Sequence, residues 1–242
     1  LGTGRFLISN GATVSSEGVH LGDGGGSGTA TVSGAGSSWN FNNSLYIGYD
    51  NNSQGTVNVL NGATLNLGSQ DLYISYDNAA GTLNVSGGST VISGEVSFGY
   101  YSETGQGVAN ISGAGTTWTV NGDMTIGDEG GSGELNIRDG AVVSVSDRLR
   151  MGGYDDNITR GDLLITGAGS RLTVGGDAEI GYERPAIVVI INGGLFQVLG
   201  STSISEDSTA PSSVTVTGQG SRFESENNTV YIGNYGEGSL NV

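Results

Sequence analysis

The chain has 242 residues, with 46 Gly, 2 Pro and no Cys, and its 24 acidic residues against 8 basic ones give a net charge of −16. This charge argues against DNA, RNA and anionic membrane surfaces as partners, because each would repel the protein. The absence of Cys excludes disulfides as a stabilising device and excludes thiol catalysis. No apolar run approaches the length of about 18 residues that a membrane helix needs, so we expect no membrane insertion by this segment.

The chain consists of one repeated unit, of which 107–132 is the clearest copy. This copy holds three short apolar runs, at 108–111, 118–120 and 124–126, separated by Gly-rich turns. Nine full units begin at Gly4, Gly28, Gly55, Gly81, Gly107, Gly133, Gly161, Ala186 and Ser212, and a tenth begins at Gly238. A fixed period of this size is typical of a repeat architecture. Because the pattern is cut at both ends, we expect 1–242 to be a single piece of a longer array.

The first run of every unit alternates between apolar and polar positions, as a strand with one buried face does. One apolar column is β-branched in all ten units, a composition that suits a strand: Ile8, Val32, Val59, Val85, Ile111, Ile137, Ile165, Ile190, Val216 and Val242. The residue before this column must point outward. It is Asn at Asn58, Asn84, Asn110, Asn136 and Asn241.

The second and third runs follow turns such as Asn61-Gly62 and Gly113-Ala114-Gly115, whose residues tolerate positive φ. The second run carries bulky residues such as Trp39 and Trp118, and the third run ends at a Gly or Ser. Three strands per unit predict an all-β fold, a right-handed parallel β-helix (β-solenoid) with about nine rungs of about 26 residues. With strands about 4.8 Å apart, the rod would be roughly 43 Å long. An antiparallel sandwich is the main competitor, but it does not explain the three-run period.

Residues 28–48, GTATVSGAGSSWNFNNSLYIG, and 107–127, GVANISGAGTTWTVNGDMTIG, resemble the Gly-rich repeats in passenger domains of bacterial autotransporter (type V secretion) adhesins. The resemblance covers essentially the whole chain. It implies a passenger at the bacterial cell surface or in the extracellular space, translocated by a separate outer-membrane barrel. The unit beginning at Ala186 departs most, because it lacks the leading Gly and has Ser203-Ile204-Ser205 at its close.

Right-handed β-helices also include enzymes that degrade acidic polysaccharides. The alternative to an adhesin is therefore a polysaccharide lyase or hydrolase. Its best candidates are Asp155 and Asp156, near Arg148, Arg150 and Arg160, since such sites pair carboxylates with a basic residue. We favour a solvated turn, where Asp is common, and predict no enzyme activity. The only histidine, His20, sits at an outward position.

An acidic turn after the third run recurs, at Asp50, Asp77, Asp128-Glu129, Asp155-Asp156 and Glu183. Stacked carboxylates suggest weak Ca²⁺ binding, but the nonapeptide calcium repeat is absent, so we expect neither a metal site nor a cofactor. Tyrosines share this turn or the middle of the third run, among them Tyr46, Tyr73, Tyr76 and Tyr100. Exposed Tyr rows suit protein or carbohydrate contact. The other interpretation is that the rings pack on one another.

Units six to eight depart most from the repeat, and the candidate ligand-binding residues come from them. These residues are Arg150, Tyr154, Asp155, Asp156, Arg160, Gly161, Asp162, Leu164, Tyr182 and Val189. We expect Arg150 to pair with Glu179, and Leu164 with Val189 to form an exposed apolar strip. Arg160-Gly161-Asp162 resembles an integrin-binding tripeptide on an exposed turn, although chance is the better explanation.

The sequence therefore predicts a structural and adhesive rod. Its expected partner is a host cell-surface or extracellular-matrix protein or a glycan, with self-association as a further possibility.

Overall fold

A computed structural model describes residues 2–153, 160–207, 211–225 and 228–242, which form 28 β-strands and no helix. The strands of the first half are β1 Thr3–Ser9, β2 Thr13–Ser16, β3 Val19–Leu21, β4 Ser27–Ser33, β5 Ser38–Phe41, β6 Leu45–Ile47, β7 Gln54–Leu60, β8 Thr64–Asn66, β9 Leu72–Tyr76, β10 Ala80–Ser86, β11 Thr90–Ser93, β12 Val96–Tyr100, β13 Gln106–Ser112, β14 Thr117–Val120 and β15 Met124–Ile126. Those of the second half are β16 Ser132–Arg138, β17 Val142–Val145, β18 Leu149–Met151, β19 Gly161–Thr166, β20 Arg171–Val174, β21 Ala178–Ile180, β22 Ala186–Ile191, β23 Leu195–Val198, β24 Thr202–Ile204, β25 Ser212–Thr217, β26 Arg222–Ser225, β27 Val230–Ile232 and β28 Gly238–Asn241.

Every strand pairs with the strand three positions along the chain. The first sheet has ten strands, from β1 to β28, and the second and third sheets have nine each, from β2 to β26 and from β3 to β27. All pairs among the described residues are parallel. The predicted parallel β-solenoid is therefore confirmed, and the antiparallel sandwich is ruled out. We number the rungs so that β1–β3 is rung 1 and β25–β27 is rung 9.

The register follows the repeat inferred from the sequence. Gly81 lies opposite Gly55 on one side and Gly107 on the other, and Gly133 lies opposite Gly161. Equivalent positions of neighbouring units therefore stack directly. A one-residue slip would turn every buried residue toward solvent, so the alternating pattern specifies this register.

The core runs along the inside of the solenoid and collects the inward residues of all three sheets. Trp39 and Trp118 are 2% and 1% exposed, and each fills the interior from the second sheet. Their indole N–H groups need a partner when buried. Trp39 Nε1 donates to Ser16 Oγ at 2.9 Å, and Trp118 Nε1 donates to Ser93 Oγ at 3.2 Å. Both acceptors lie one rung earlier, so these bonds also join neighbouring rungs.

The outward Asn residues of the first sheet form a hydrogen-bonded ladder. Asn84 donates to Asn58 at 3.0 Å, Asn110 donates to Asn84 at 3.0 Å, and Asn136 donates to Asn110 at 3.1 Å. Arg138 closes the ladder by donating to the Asn136 Oδ1 at 3.0 Å. Identical amides stacked at the strand spacing satisfy one another in this way.

Candidate ligand-binding face

The outer surface of the third sheet carries two columns of side chains, which run along the rod. The strand column takes the second residue of each third-sheet strand: His20, Tyr46, Tyr73, Ser97, Thr125, Arg150, Glu179, Ser203 and Tyr231. The turn column takes the residue that follows the Gly or Ser at the end of each third run: Asp23, Tyr49, Tyr76, Tyr100, Asp128, Gly153, Tyr182, Glu206 and Asn234. The two columns lie side by side along the rod, since Tyr46 of the strand column meets Tyr49 and Tyr76 of the turn column edge-on.

In rungs 1 to 4 this face is an aromatic ladder. The rings of Tyr46 and Tyr73 stack at 4.7 Å with 5° between their planes, and those of Tyr49 and Tyr76 stack at 5.2 Å with 9°. Tyr46 also meets Tyr76 edge-on at 5.3 Å. His20 stacks on Tyr49 at 3.7 Å. The structure thus bears out the interpretation that the rings pack on one another, and a contact role for them stays a prediction.

Four tyrosines of the ladder have a raised pKa, chiefly because their hydroxyls are partly buried. Burial, together with the nearby Asp71 carboxylate, raises the pKa of the Tyr73 hydroxyl to about 12. Burial also raises the pKa of Tyr46, Tyr76 and Tyr100. A neutral phenol hydroxyl can both donate and accept a hydrogen bond.

The ladder stops at rung 4, and a groove begins there. The strand column changes to the small residues Ser97 and Thr125, while Arg150 stands at the far end in rung 6. The resulting groove has a volume of about 270 Å³. We call it the acidic groove, and its lining consists of Asp71, Tyr73, Glu95, Ser97, Tyr100, Asp123, Thr125, Asp128, Glu129 and Arg150.

One wall of the acidic groove is a row of carboxylates at the start of the third-sheet strands. Asp71, Glu95 and Asp123 occupy equivalent positions in rungs 3, 4 and 5, since each backbone carbonyl accepts from the strand one rung earlier. Asp71 Oδ1 accepts from the backbone N–H of Glu95 at 3.2 Å, and Asp123 Oδ1 accepts from that of Arg148 at 2.9 Å. Burial and the charges of Asp71, Asp123 and Asp147 raise the pKa of the Glu95 carboxyl.

The opposite wall is formed by Asp128, which is only 7% exposed. Ser97 Oγ donates to Asp128 Oδ2 at 3.1 Å. Burial raises the pKa of Asp128, and the Ser97 hydrogen bond and the Arg150 charge oppose that rise. The small strand-column residue Ser97 thus fixes a carboxylate that would be unfavourable if buried alone.

At the far end of the groove, Arg150 is held from two sides. Its Nε donates to Glu179 Oε2 at 2.8 Å, and its guanidinium lies 4.3 Å from the centre of the Tyr182 ring. The predicted cross-rung pair of Arg150 and Glu179 is therefore confirmed. Arg148 approaches the same Glu179 carboxylate at 3.7 Å.

The other candidates do not form one site. Tyr154, Asp155 and Asp156 lie outside the described residues. Leu164 and Val189 pair in register on the first sheet, a different face from the groove, and both are partly buried rather than fully exposed. The structure thus brings Arg150 and Tyr182 together and leaves Leu164 and Val189 elsewhere.

The tripeptide Arg160-Gly161-Asp162 lies only in part as expected, because the Arg160 and Asp162 side chains are exposed but the last two residues belong to a strand and not to a turn. Gly161 is buried and begins strand β19, where it pairs with Gly133. Arg160 Nε donates to Asp162 Oδ1 at 2.7 Å, so the two charged side chains bind each other. The turn was wrong because Gly161 occupies the position at which first-sheet strands begin.

The sequence did not single out the acidic wall of the groove. Asp71, Glu95 and Asp123 precede the third run, and alignment of the units at that position would have shown three acids in succession. A second depression, of about 700 Å³, lies at the turn and is lined by Asp77, Asn78, Tyr101, Ser102, Glu103, Glu129 and Glu183. Among the described residues, no group of three or more His, Asp or Glu could hold a metal ion.

Comparison with protein-family models, with curated proteins and with solved structures finds no match to this chain. Within the described ranges, no helix is long and apolar enough to cross a membrane.

Proposed function

We propose that this chain is an adhesive rod, a surface-exposed fragment of an autotransporter-like adhesin passenger that binds a host or matrix protein or a glycan. The observation that carries the proposal is the aromatic ladder on the third sheet, which ends at the acidic groove. The proposed location is the bacterial cell surface or the extracellular space, and the proposed role involves no catalysis.

The ladder supports binding because stacked rings form a rigid surface. Tyr46 and Tyr73 hold each other parallel at 4.7 Å, so little side-chain freedom remains to be lost when a partner binds. Tyr46 and Tyr73 are both partly exposed, so a partner can reach the stack from solvent. Rigid amphipathic rings with hydrogen-bonding edges are typical of binding surfaces.

The solenoid also suits this role mechanically. Each rung contacts mainly its neighbours, and stability arises from stacking along the array. Successive side chains are displayed at the fixed strand spacing of about 4.8 Å, so a long partner can contact several rungs at once. A row of weak contacts then adds up to useful avidity.

An array of immobilised glycans and matrix proteins tests the proposal. The whole chain should bind at least one class of probe, and the variant Tyr73→Ser/Tyr100→Ser should lose those signals. The control is Thr119→Ser, which changes an exposed residue on the second sheet. An absence of signals with the unaltered chain, or signals that survive in the tyrosine variant, would overturn the proposal.

A further inference from the structure

The tyrosines of rungs 2 to 4 form one continuous network of ring contacts. Beyond the stacked pairs described above, the ring centre of Tyr100 lies 5.4 Å from that of Tyr73 and 5.6 Å from that of Tyr76. Tyr101 in turn lies 6.4 Å from Tyr76 and 6.5 Å from Tyr100. Each ring therefore has another ring beside it, so an electron removed from one tyrosine can be replaced by its neighbour.

We infer that the aromatic ladder is a site of oxidative cross-linking, at which Tyr46 and Tyr73 form a dityrosine bond that joins rungs 2 and 3. The oxidant is hydrogen peroxide activated by a haem peroxidase, which removes electrons from phenols one at a time. This inference goes beyond the proposed adhesive function and does not depend on it, because it needs only the geometry of the rings.

Tyr46 and Tyr73 are arranged as the coupling of two phenoxyl radicals requires. They are register partners on neighbouring strands. Their ring centres are 4.7 Å apart with 5° between the planes, and neighbouring strands are about 4.8 Å apart. One ring is therefore nearly a copy of the other displaced by one rung, so equivalent carbon atoms face each other. Phenoxyl radicals combine at the carbons ortho to the oxygen, where much of the unpaired electron density lies.

The network also gives the oxidant a point of entry. Tyr101 is 66% exposed at one end of the network, whereas Tyr46 and Tyr73 are only partly exposed. An electron removed from Tyr101 is replaced from Tyr76 or Tyr100, which lie beside it, and then from the stacked pairs. The radical thus reaches the closest parallel pair, where a second oxidation allows coupling.

Two phenols and one hydrogen peroxide give one dityrosine and two water molecules. Each phenol loses one electron to the peroxidase and its hydroxyl proton to water. The two radicals then form a carbon–carbon bond, and the hydrogen on each bonded carbon moves as a proton, through water, to the oxygen of its own ring. The peroxide takes up the two electrons and the two released protons as its O–O bond breaks.

Exposure alone would favour other tyrosines. Tyr235 and Tyr231 are 76% and 48% exposed. The register partner of Tyr231 in rung 8 is Ser203, and within the described ranges neither tyrosine has an aromatic ring beside it. A radical on either of them has no partner in the same molecule, so a link inside one molecule separates ring geometry from exposure.

The cross-link would tie together rungs that disulfides cannot join, since the chain has no Cys. A bond between Tyr46 and Tyr73 closes a loop and so restricts the unfolded chain, as a disulfide does. The oxidant that forms the bond would therefore make the rod harder to unfold.

Treatment of the whole chain with a haem peroxidase and hydrogen peroxide, at high dilution to suppress links between molecules, tests the inference. Trypsin cannot separate the two tyrosines, because no Lys or Arg lies between Arg5 and Arg138. A protease that cleaves before Asp releases 23–49 and 71–76 as separate peptides. Mass spectrometry detects their joined form, which is lighter than their sum by two hydrogens, and fragmentation identifies the linked tyrosines.

Three conservative variants keep the rings and remove single phenols. Tyr73→Phe removes one member of the pair, Tyr101→Phe removes the point of entry, and Tyr231→Phe makes the same change at a tyrosine outside the network. Far-UV circular dichroism confirms that each variant folds.

The main product of the unaltered chain should be the Tyr46–Tyr73 link within one molecule. Tyr73→Phe should lack it, Tyr101→Phe should form it several times more slowly, and Tyr231→Phe should form it at the original rate. The linked chain should also unfold at a higher denaturant concentration than the untreated chain. Links located chiefly at other tyrosines, links only between molecules, or oxidation without dityrosine would overturn the inference. An unchanged rate in Tyr101→Phe would overturn the point of entry.

Discussion

The hydroxyl of Ser75 occupies the space that Gly105 leaves one rung later. A Cβ atom at Gly105 would lie 2.5 Å from Ser75 Oγ, which itself donates to the Ala79 carbonyl at 2.9 Å. Ser75 has a φ of 72° and replaces the Gly that closes most rungs. The Ser75 side chain thus fits at this tight turn because Gly105, which faces it in the next rung, has no side chain.

Gly48 closes rung 2 without such compensation. Its φ is 76°, and an added Cβ would lie 2.5 Å from the Ala80 carbonyl oxygen. We expect Gly48→Ala to lower the free energy of unfolding by about 2–4 kcal/mol, from left-handed backbone strain plus overpacking. Gly24→Ala is the matched control, because its φ is 57° and nothing lies within 4 Å of the added atom.

Denaturant unfolding followed by circular dichroism measures both glycine variants. Gly24→Ala should lower the free energy of unfolding by only about 1 kcal/mol, the strain term alone. Equal losses for the two variants would show that the close approach at Ala80 has no energetic role.

The Asn ladder on the first sheet predicts a position-dependent effect. Asn110 both donates to Asn84 and accepts from Asn136, so Asn110→Ala removes two hydrogen bonds. We expect a loss of about 1–2 kcal/mol in the free energy of unfolding. Asn241 belongs to the same column but is exposed on the last strand, and Asn241→Ala should change stability little. Similar losses at both positions would contradict a cooperative ladder.

Stability near acidic pH should depend on Glu95. Burial and the neighbouring acids raise the pKa of this carboxyl, so the folded state holds the proton more tightly than the unfolded chain does. The folded state is therefore favoured as pH falls through the raised pKa, and the ionised group is unfavourable at neutral pH. Glu95→Gln should raise the melting temperature at neutral pH, and its advantage should vanish below about pH 4.3. A destabilised Glu95→Gln variant at neutral pH would contradict this.

Alkaline titration tests the burial of the aromatic ladder. Because the pKa of Tyr73 is raised to about 12, the folded state keeps a proton that the unfolded chain loses near its ordinary pKa of about 10. Stability should therefore fall as pH rises from about 10 to 12. Tyr73→Phe should reduce that fall, and ultraviolet absorbance should lose its latest-titrating tyrosine. A variant with an unchanged alkaline profile would contradict the assigned burial.

The fold could be predicted closely from the sequence because the same pattern of apolar and polar positions recurs in every unit. Ten units carry a β-branched residue at the same position, as at Ile111 and Ile137. This column predicts a strand, its buried face and the register in which neighbouring strands pair. The same logic placed Asn110 outward. It also placed Arg150 opposite Glu179, since equivalent positions of successive units must stack.

The candidate site was less predictable because it depends on differences between units. The groove lies where the small residues Ser97 and Thr125 follow the tyrosines of the strand column. It becomes apparent only when several stacked units are compared. The expected turn at Gly161 was wrong because Gly161 stacks on Gly133 in the first sheet, and a three-residue motif carries no information about that stacking.

Backbone and side-chain chemical shifts of the isotopically labelled chain, recorded as a probe that binds on the glycan and matrix-protein array is added, test most directly that the aromatic ladder forms the binding face. We predict that the largest changes cluster at Tyr46, Tyr73, Tyr76 and Tyr100, with little change at Thr119 on the second sheet. Changes spread evenly over the surface, or concentrated away from the third sheet, would contradict the assignment of this face as the site.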